Sequence, residues 1–250
     1  MFVNKFKKMK NIIFTSLMLC SVLAFSQEIK FGAKVGLNIS RLRGNYPTAQ
    51  QVDVDEVNNM SKIGFHIGGF AEYSINGKFS IQPELLISTQ GGILEFKGDD
   101  YIDQTYLGTV SITQNNKLTY LNLPIMLKYK VLTKLRVEFG PQIGYLVSAK
   151  NKLEFKDSQY PQENESVEID LLHDGSYISQ GKIVQVQGRA NRLDFGLNLG
   201  TSYDLTEKIF IQVRYNLGLS VLDKNSTAGA NTNSWNSKNS VFQLSAGYRF

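Results

Sequence analysis

The stretch from Lys117 to Val147 reads KLTYLNLPIMLKYKVLTKLRVEFGPQIGYLV, and apolar residues fill every second position on both sides of one short break. This period of two is typical of a β-strand with one apolar and one polar face. The break at residues 132–134 is short enough to join two antiparallel strands. The stretch therefore predicts a hairpin of long strands, in which the odd three-residue turn sets Lys128 opposite Glu138.

The same alternation recurs along the chain and predicts eight strands. They begin near residues 29, 61, 79, 117, 135, 189, 207 and 238. Long polar loops follow the odd strands, at residues 41–60, 91–116, 150–188 and 223–237. Short turns with an odd number of residues follow the even strands. A three-residue loop is predicted around Asn76-Gly77, with Gly77 in the left-handed conformation, and the other two turns are predicted at 132–134 and 204–206.

This asymmetry between loops and turns favours one fold class. We predict an all-β, eight-stranded antiparallel up-and-down transmembrane β-barrel with four long external loops and three short periplasmic turns. Strands of about 11 residues, tilted near 45°, cover roughly the 25 Å of an outward apolar band. An aromatic girdle is expected at the end that carries the short turns. Its predicted members are Tyr73, Phe79, Tyr129, Tyr203 and Phe250.

Residues 1–26 have the pattern of a secretory signal peptide, which leaves residues 27–250 as the barrel domain. Four lysines precede an apolar run that ends at Ala24-Phe25-Ser26, and translation could start at Met1 or at Met9. The single cysteine, Cys20, lies inside that run, and the apolar residues after it argue against lipidation. The mature chain is therefore expected to have no disulfide and no thiolate metal site.

The net charge gives no support for nucleic-acid binding. It falls from +5 to about +1 once the four lysines of the signal are removed. A chain with so little excess charge lacks the electrostatic basis for binding phosphate backbones.

Charges of both signs recur on the polar face of the strands. In a narrow barrel such charges can pair with one another and fill the lumen. The predicted interior network comprises Lys34, Glu72, Glu84, Lys128, Arg136, Glu138, Arg192, Asp194, Arg214 and Arg249. The alternative is a soluble periplasmic barrel with its apolar face inside around a lipophilic ligand, but the chain lacks the Gly-x-Trp start of lipocalins.

A lipid-modifying enzyme is a weaker alternative. His66 is the only histidine on a predicted strand, with Ser74, Ser80 and Glu84 as candidate neighbours. Its position in the alternation points it into the lumen, away from a lipid substrate, and His173 lies in a loop. We therefore expect no catalytic residues, no cofactor and no bound metal.

The last strand and four internal motifs resemble a known family. The terminal VFQLSAGYRF at 241–250 looks like the signal that the barrel-assembly machinery reads, with Phe242, Leu244, Tyr248 and Phe250 as its apolar positions. The motifs FGAKVGLN at 31–38, IQPELL at 81–86, YLNLP at 120–124 and FGP at 139–141 resemble the outer-membrane β-barrel domain family common in Bacteroidota, the PorT-like group.

This resemblance implies location and fold more than activity. It implies a cell outer membrane protein in contact with outer-membrane lipids, and a secretion-accessory role is one option among PorT-like relatives. A rigid barrel with long loops is suited to a structural or interaction role. We therefore expect a membrane-anchored scaffold whose external loops contact a protein or a surface polymer. Eight strands leave too little room for a diffusion pore.

Overall fold

The computed structural model describes residues 29–44, 56–102, 105–179, 182–186, 188, 190–223 and 237–250. The predicted signal peptide lies outside these residues. In the described part, no helix is long and apolar enough to cross a membrane. The strands are β1 Ile29–Arg43, β2 Glu56–Met60, β3 Lys62–Ser74, β4 Phe79–Ile102, β5 Thr105–Lys130, β6 Leu135–Asp157, β7 Glu165–Asp170, β8 Gly175–Ser179, β9 Lys182–Val186, β10 Leu193–Asp204, β11 Ile209–Gly218 and β12 Lys238–Arg249.

Eight of these strands close into a ring. The order is β1, β3, β4, β5, β6, β10, β11 and β12, and every neighbouring pair is antiparallel. Pairing of the first strand with the last closes the ring, for example at Ala33 and Tyr248. The predicted eight-stranded barrel is thus confirmed. Below, the turn end is the end with the short turns, and the outer end is the opposite one.

The three short turns have the predicted odd length, with two differences in detail. The turn at residues 132–134 is as predicted and sets Lys128 opposite Glu138. Gly77 is not left-handed, because among the described glycines only Gly44 and Gly91 have a positive φ. The side chain of Asn76 closes that turn instead, accepting hydrogen bonds from the backbone N–H groups of residues 78 and 79 at 2.9 and 2.8 Å.

The third turn lies two residues later than predicted. The register pairs Asp204 with Phe210, and Leu205 N–H donates to the carbonyl of Ile209, so the turn comprises residues 206–208. Thr206 Oγ1 accepts hydrogen bonds from two backbone N–H groups of this turn. Asp204 therefore belongs to the end of a strand, not to a loop.

Three of the predicted long loops, at residues 41–60, 91–116 and 150–188, contain strands, and this part of the prediction was wrong. Residues 91–116 form the outer halves of β4 and β5, which pair as far as Ile102 and Thr105. On one side β2 pairs with β4, and on the other β7 pairs with the outer half of β6. The result is a five-stranded outer sheet in the order β2, β4, β5, β6 and β7, with a separate hairpin of β8 and β9.

The two faces of the barrel wall differ sharply. The outward side chains of the alternating stretches are apolar and exposed, as at Phe65 and Leu123. The inward ones are polar and buried, and Lys128 and Glu138 have no accessible surface. All five predicted girdle aromatics are exposed at the turn end, where the rings of Phe79 and Tyr129 lie 4.9 Å apart. This arrangement does not favour a soluble barrel with an apolar interior.

At several inward glycines the backbone of the neighbouring strand leaves no room for a side chain. A Cβ atom added at Gly140 would lie 2.0 Å from the carbonyl oxygen of Ile125, whereas one added at the outward Gly69 would meet no atom closer than 3.6 Å.

We predict that Gly140→Ala lowers the stability of the barrel by about 1–3 kcal/mol, because the backbone must move. Gly69→Ala should leave it unchanged or slightly raised.

The urea midpoint of the folded band on unboiled electrophoresis gels measures both variants. Equal midpoints for Gly140→Ala and Gly69→Ala would show that the strands are not packed at this distance.

Candidate functional site

An arginine held by two carboxylates lies at the centre of the lumen. Arg214 donates two hydrogen bonds to Glu84, at 2.9 and 2.8 Å, and two to Glu138, both at 3.1 Å. Lys34 Nζ lies 2.7 Å from Glu84 Oε2, which also accepts from Arg214, and donates to Gln212 at 3.0 Å. These four charged side chains are inaccessible to solvent, so they fill the lumen at this level.

A second group of charges fills the lumen toward the turn end. Arg249 pairs with Glu72 at 3.3 Å and with Asp204 at 2.9 Å, and Arg136 also binds Asp204. The guanidinium of Arg249 lies 4.6 Å from the ring centre of Phe210. Cations and aromatic rings together therefore leave little free space here.

Lys128 connects the two groups. Its ammonium nitrogen donates to Gln82 at 2.8 Å and lies 3.9 Å from a carboxylate oxygen of Glu72 and of Glu138. Gln82 in turn donates to Glu84 at 2.7 Å. The charges of the lumen thus form one connected network.

The predicted interior residues fall into two classes. Those that join this network are Lys34, Glu72, Glu84, Lys128, Arg136, Glu138, Arg214 and Arg249. Asp194 is buried near the outer end and accepts from Asn239 at 2.7 Å, while Arg192 precedes β10 and has no ion pair within the described residues. The sequence prediction missed Asp204, which alternation would have included had the turn been placed correctly.

His66 has a structural environment. Its Nδ1 lies 2.8 Å from Asn38 Oδ1 and its Nε2 lies 2.8 Å from Ser245 Oγ, and the ring is fully buried. Within the described residues it makes no hydrogen bond to Ser74, Ser80 or Glu84, the neighbours considered from the sequence. In the described part of the chain, no group of three His, Cys, Asp or Glu side chains could hold a metal ion.

Apolar side chains close the lumen at the outer end. The plug consists of Leu42, Leu118, Tyr120, Leu146, Ala149 and Ala190. The hydroxyl of Tyr120 accepts a hydrogen bond from Asn239 at 3.1 Å, which joins the plug to the polar side chains below it. The plug separates the charge network from the outer surface.

A pocket lies on the outer side of this plug. Its volume is about 140 Å³, and we call it the mouth pocket. Its walls include Leu42, Asn116, Asn151, Ile169, Leu171 and Leu222. The Oδ1 atom of Asn151 is buried without a hydrogen-bond partner in the described part of the chain. The pocket thus offers apolar walls and one free acceptor.

Backbone hydrogen bonds hold the segments around the mouth pocket together. Leu171 N–H donates to the carbonyl of Ala149 at 2.8 Å, and Ala190 N–H donates to the carbonyl of Leu171 at 2.9 Å. Leu222 N–H donates to the carbonyl of Ser237 at 2.8 Å. These hydrogen bonds therefore connect segments that are far apart in sequence around the mouth pocket.

The outward face of the outer sheet carries exposed ion pairs. Lys150 Nζ donates to Glu168 at 2.5 Å, and this hydrogen bond raises the pKa of Lys150 and lowers the pKa of Glu168. The hydrogen bond with Lys152 likewise lowers the pKa of Glu154. Such exposed pairs are screened by solvent and add little to stability.

Removal of the central cation tests the lumen network. We predict that Arg214→Met destabilises the barrel by about 3–5 kcal/mol, because Glu84 and Glu138 lose the partner that offsets their burial. Lys150→Met removes a cation from an exposed pair and should not shift the unfolding midpoint measurably. The midpoint of the unboiled folded band in urea is the measurement, and a midpoint for Arg214→Met equal to that of Lys150→Met would contradict the assignment.

Comparison with known proteins agrees with the barrel. A family model described as outer membrane protein beta-barrel domain matches residues 25–224. Among solved structures, the chain is similar to Ail, the attachment invasion locus protein of Yersinia pestis, at 13% identity and a TM-score of 0.38, covering 90% of this chain and 100% of that one. No curated protein matches the sequence significantly.

Two further solved structures are also similar to the chain. Neisserial surface protein A has 11% identity and a TM-score of 0.38, covering 88% of this chain and 97% of that chain. OprG from Pseudomonas aeruginosa has 11% identity and a TM-score of 0.29, covering 89% and 94%.

Proposed function

Since this chain belongs to the outer membrane protein β-barrel domain family, we propose that it is a non-catalytic, membrane-anchored scaffold whose outer end binds a protein partner at the cell surface. The barrel is an outer membrane protein, as predicted from the sequence. The apolar outer surface faces lipid, and the outer sheet continues beyond the barrel wall at the outer end.

The mouth pocket is the observation that carries this proposal. It combines apolar walls with a buried acceptor that has no hydrogen-bond partner in the described part of the chain. An apolar cavity of about 150 Å³ in another protein accommodates benzene, so about 140 Å³ suits one aromatic or branched aliphatic side chain. The best-matched occupant is therefore an apolar side chain of a partner, with a nearby N–H or O–H group to reach Asn151.

The outer sheet gives this pocket a rigid support. Ile169 lies on β7 and Asn151 on β6, whose pairing runs from Lys150 and Asp170 to Phe155 and Glu165. Binding residues are often carried by segments that a rigid scaffold positions. Here the scaffold continues from the lipid-anchored barrel into the binding surface without a flexible joint at β6.

The filled lumen supports a non-catalytic role. The buried His66 is bound to Asn38 and Ser245 inside the barrel, and the apolar plug separates it from the outer surface. The charged side chains pair with one another, so they serve the fold and are not available to a substrate.

The finer resemblance of the sequence motifs to the PorT-like group suggests a secretion-system component as the partner. The exposed positions Phe242, Leu244, Tyr248 and Phe250 on β12 and at its end support recognition by the barrel-assembly machinery during insertion. The proposal therefore includes three contacts: a secretion-system component as the partner, the barrel-assembly machinery during insertion, and lipid around the apolar wall.

Site-specific photocrosslinking in living cells tests the proposal. A photoreactive residue in place of Leu171 should give one discrete crosslinked band. Ile169→Asp, which puts a charge into the apolar wall, should reduce that band at least tenfold. Ser166→Asp adds the same charge on the exposed side of β7 and should leave the band unchanged.

Two results would refute this function. One is a band that persists in Ile169→Asp while the folded band on unboiled gels stays normal. The other is the same crosslinked band from a photoreactive residue at Lys156, which lies on the outward face of β6 away from the pocket.

A further inference from the structure

A row of basic side chains follows the upper border of the apolar band. We call it the basic arc, and it consists of Arg41, Lys62, Lys117 and Lys150. These residues belong to β1, β3, β5 and β6. The strands are successive in the ring except for β4, which presents Gly91 opposite Lys117. No side chain from β4 therefore separates the two sides of the arc.

The position of the arc relative to the apolar band is defined by its neighbours in sequence. Arg41 comes two residues after the exposed Ile39, and Lys62 precedes Ile63, which is 74% exposed. The same relation holds on β5 and β6, where the arc lies just beyond the exposed Leu121 and Val147. In a barrel that spans a membrane, this level is where the outer lipid headgroups begin.

The cations of the arc lie close together. Lys117 is directly opposite Lys150 in the pairing of β5 with β6. Lys62 Nζ donates to Asn115 Oδ1, two residues from Lys117. Like charges directly opposite each other on a sheet destabilise it.

The nearby carboxylates balance only part of this charge. Glu168 binds Lys150. Among the described residues, Arg41, Lys62 and Lys117 have no carboxylate within ion-pair distance. An anion bound between neighbouring strands would therefore offset the repulsion between the cations of the arc.

We infer that the basic arc binds the phosphate groups of a phosphorylated glycolipid in the outer leaflet. Four steps between strands at about 4.8 Å give the arc a length of about 19 Å, enough for more than one phosphate of a headgroup. Lys and Arg near a membrane surface each strengthen attachment to anionic headgroups severalfold. This site rests on the position of the barrel in the membrane and is independent of the mouth pocket.

The test compares lipid binding by two variants with the same change of charge. Arg41→Gln, Lys62→Gln and Lys117→Gln are combined in one chain. Lys97→Gln, Lys152→Gln and Lys156→Gln are combined in the control, and these three lie farther out on β4 and β6. The refolded barrel in zwitterionic micelles is titrated with bisphosphorylated lipid A, with the same lipid lacking both phosphates, and with inorganic phosphate.

The expected readout is a rise in the thermal midpoint of the folded band with bisphosphorylated lipid A. The apparent affinity of the arc variant should fall roughly 100-fold, at about fivefold per charge, and that of the control variant less than twofold. Equal stabilisation by the lipid without phosphates would overturn the inference, as would equal stabilisation by inorganic phosphate at the same concentration. Equal affinities of the two variants would also overturn it.

If the arc variant fails to refold, the single variant Lys117→Gln tests the inference instead. It should weaken the apparent affinity about fivefold, since Lys117 is exposed on the outward face and has no ion pair within the described residues. An unchanged affinity in that variant would overturn the inference.

Discussion

Pairing between buried charges is the interaction on which the rest of the structure depends. In a closed ring of eight strands, every second side chain points into a lumen that is only wide enough for side chains. Arg214 sits between Glu84 and Glu138, and the network extends through Lys128 to Arg249 at the turn end. Since the cost of burying each charge is offset by its neighbours, the outer wall can be apolar throughout and face lipid.

A filled lumen also determines where function is located. The charge network and the apolar plug around Tyr120 occupy the interior, so the partner binding that we propose is assigned to the outer end. There the wall of the barrel continues as the outer sheet, and its strands hold the mouth pocket in place. In this proposal, the part of β6 within the barrel wall anchors the protein, and the part of β6 in the outer sheet supports the binding surface.

The alternation of apolar and polar residues was sufficient to predict the ring, because each spanning strand has one face toward lipid. It also predicted the pair Lys128 and Glu138, since an odd turn length fixes the register. It could not predict the full outer halves of β4 and β5. In β5, Thr, Ser, Asn and Gln occupy both faces, and in β4 glycines and acidic residues interrupt the apolar positions. Their order comes from pairing with each other and with β2 and β6.

The mouth pocket could not be predicted from the sequence for a related reason. Its walls come from Leu42, Asn116, Leu171, Ala190 and Leu222, which lie in five separate segments. No local pattern connects them, because backbone hydrogen bonds across the barrel mouth bring them together. The prediction of a left-handed Gly77 was wrong for a local reason, because the side chain of Asn76 accepts the hydrogen bonds that close that turn.

The central claim is that the strands span the outer membrane with the outer sheet at the cell surface. Its most direct test uses single cysteines, since the only native one, Cys20, lies in the predicted signal peptide. With a membrane-impermeant maleimide on intact cells, a cysteine at Lys156 should be labelled at once. A cysteine at Lys78, in a short turn, should be labelled only after the outer membrane is permeabilised. Equal labelling of both positions in intact cells, or the reverse order, would contradict this account.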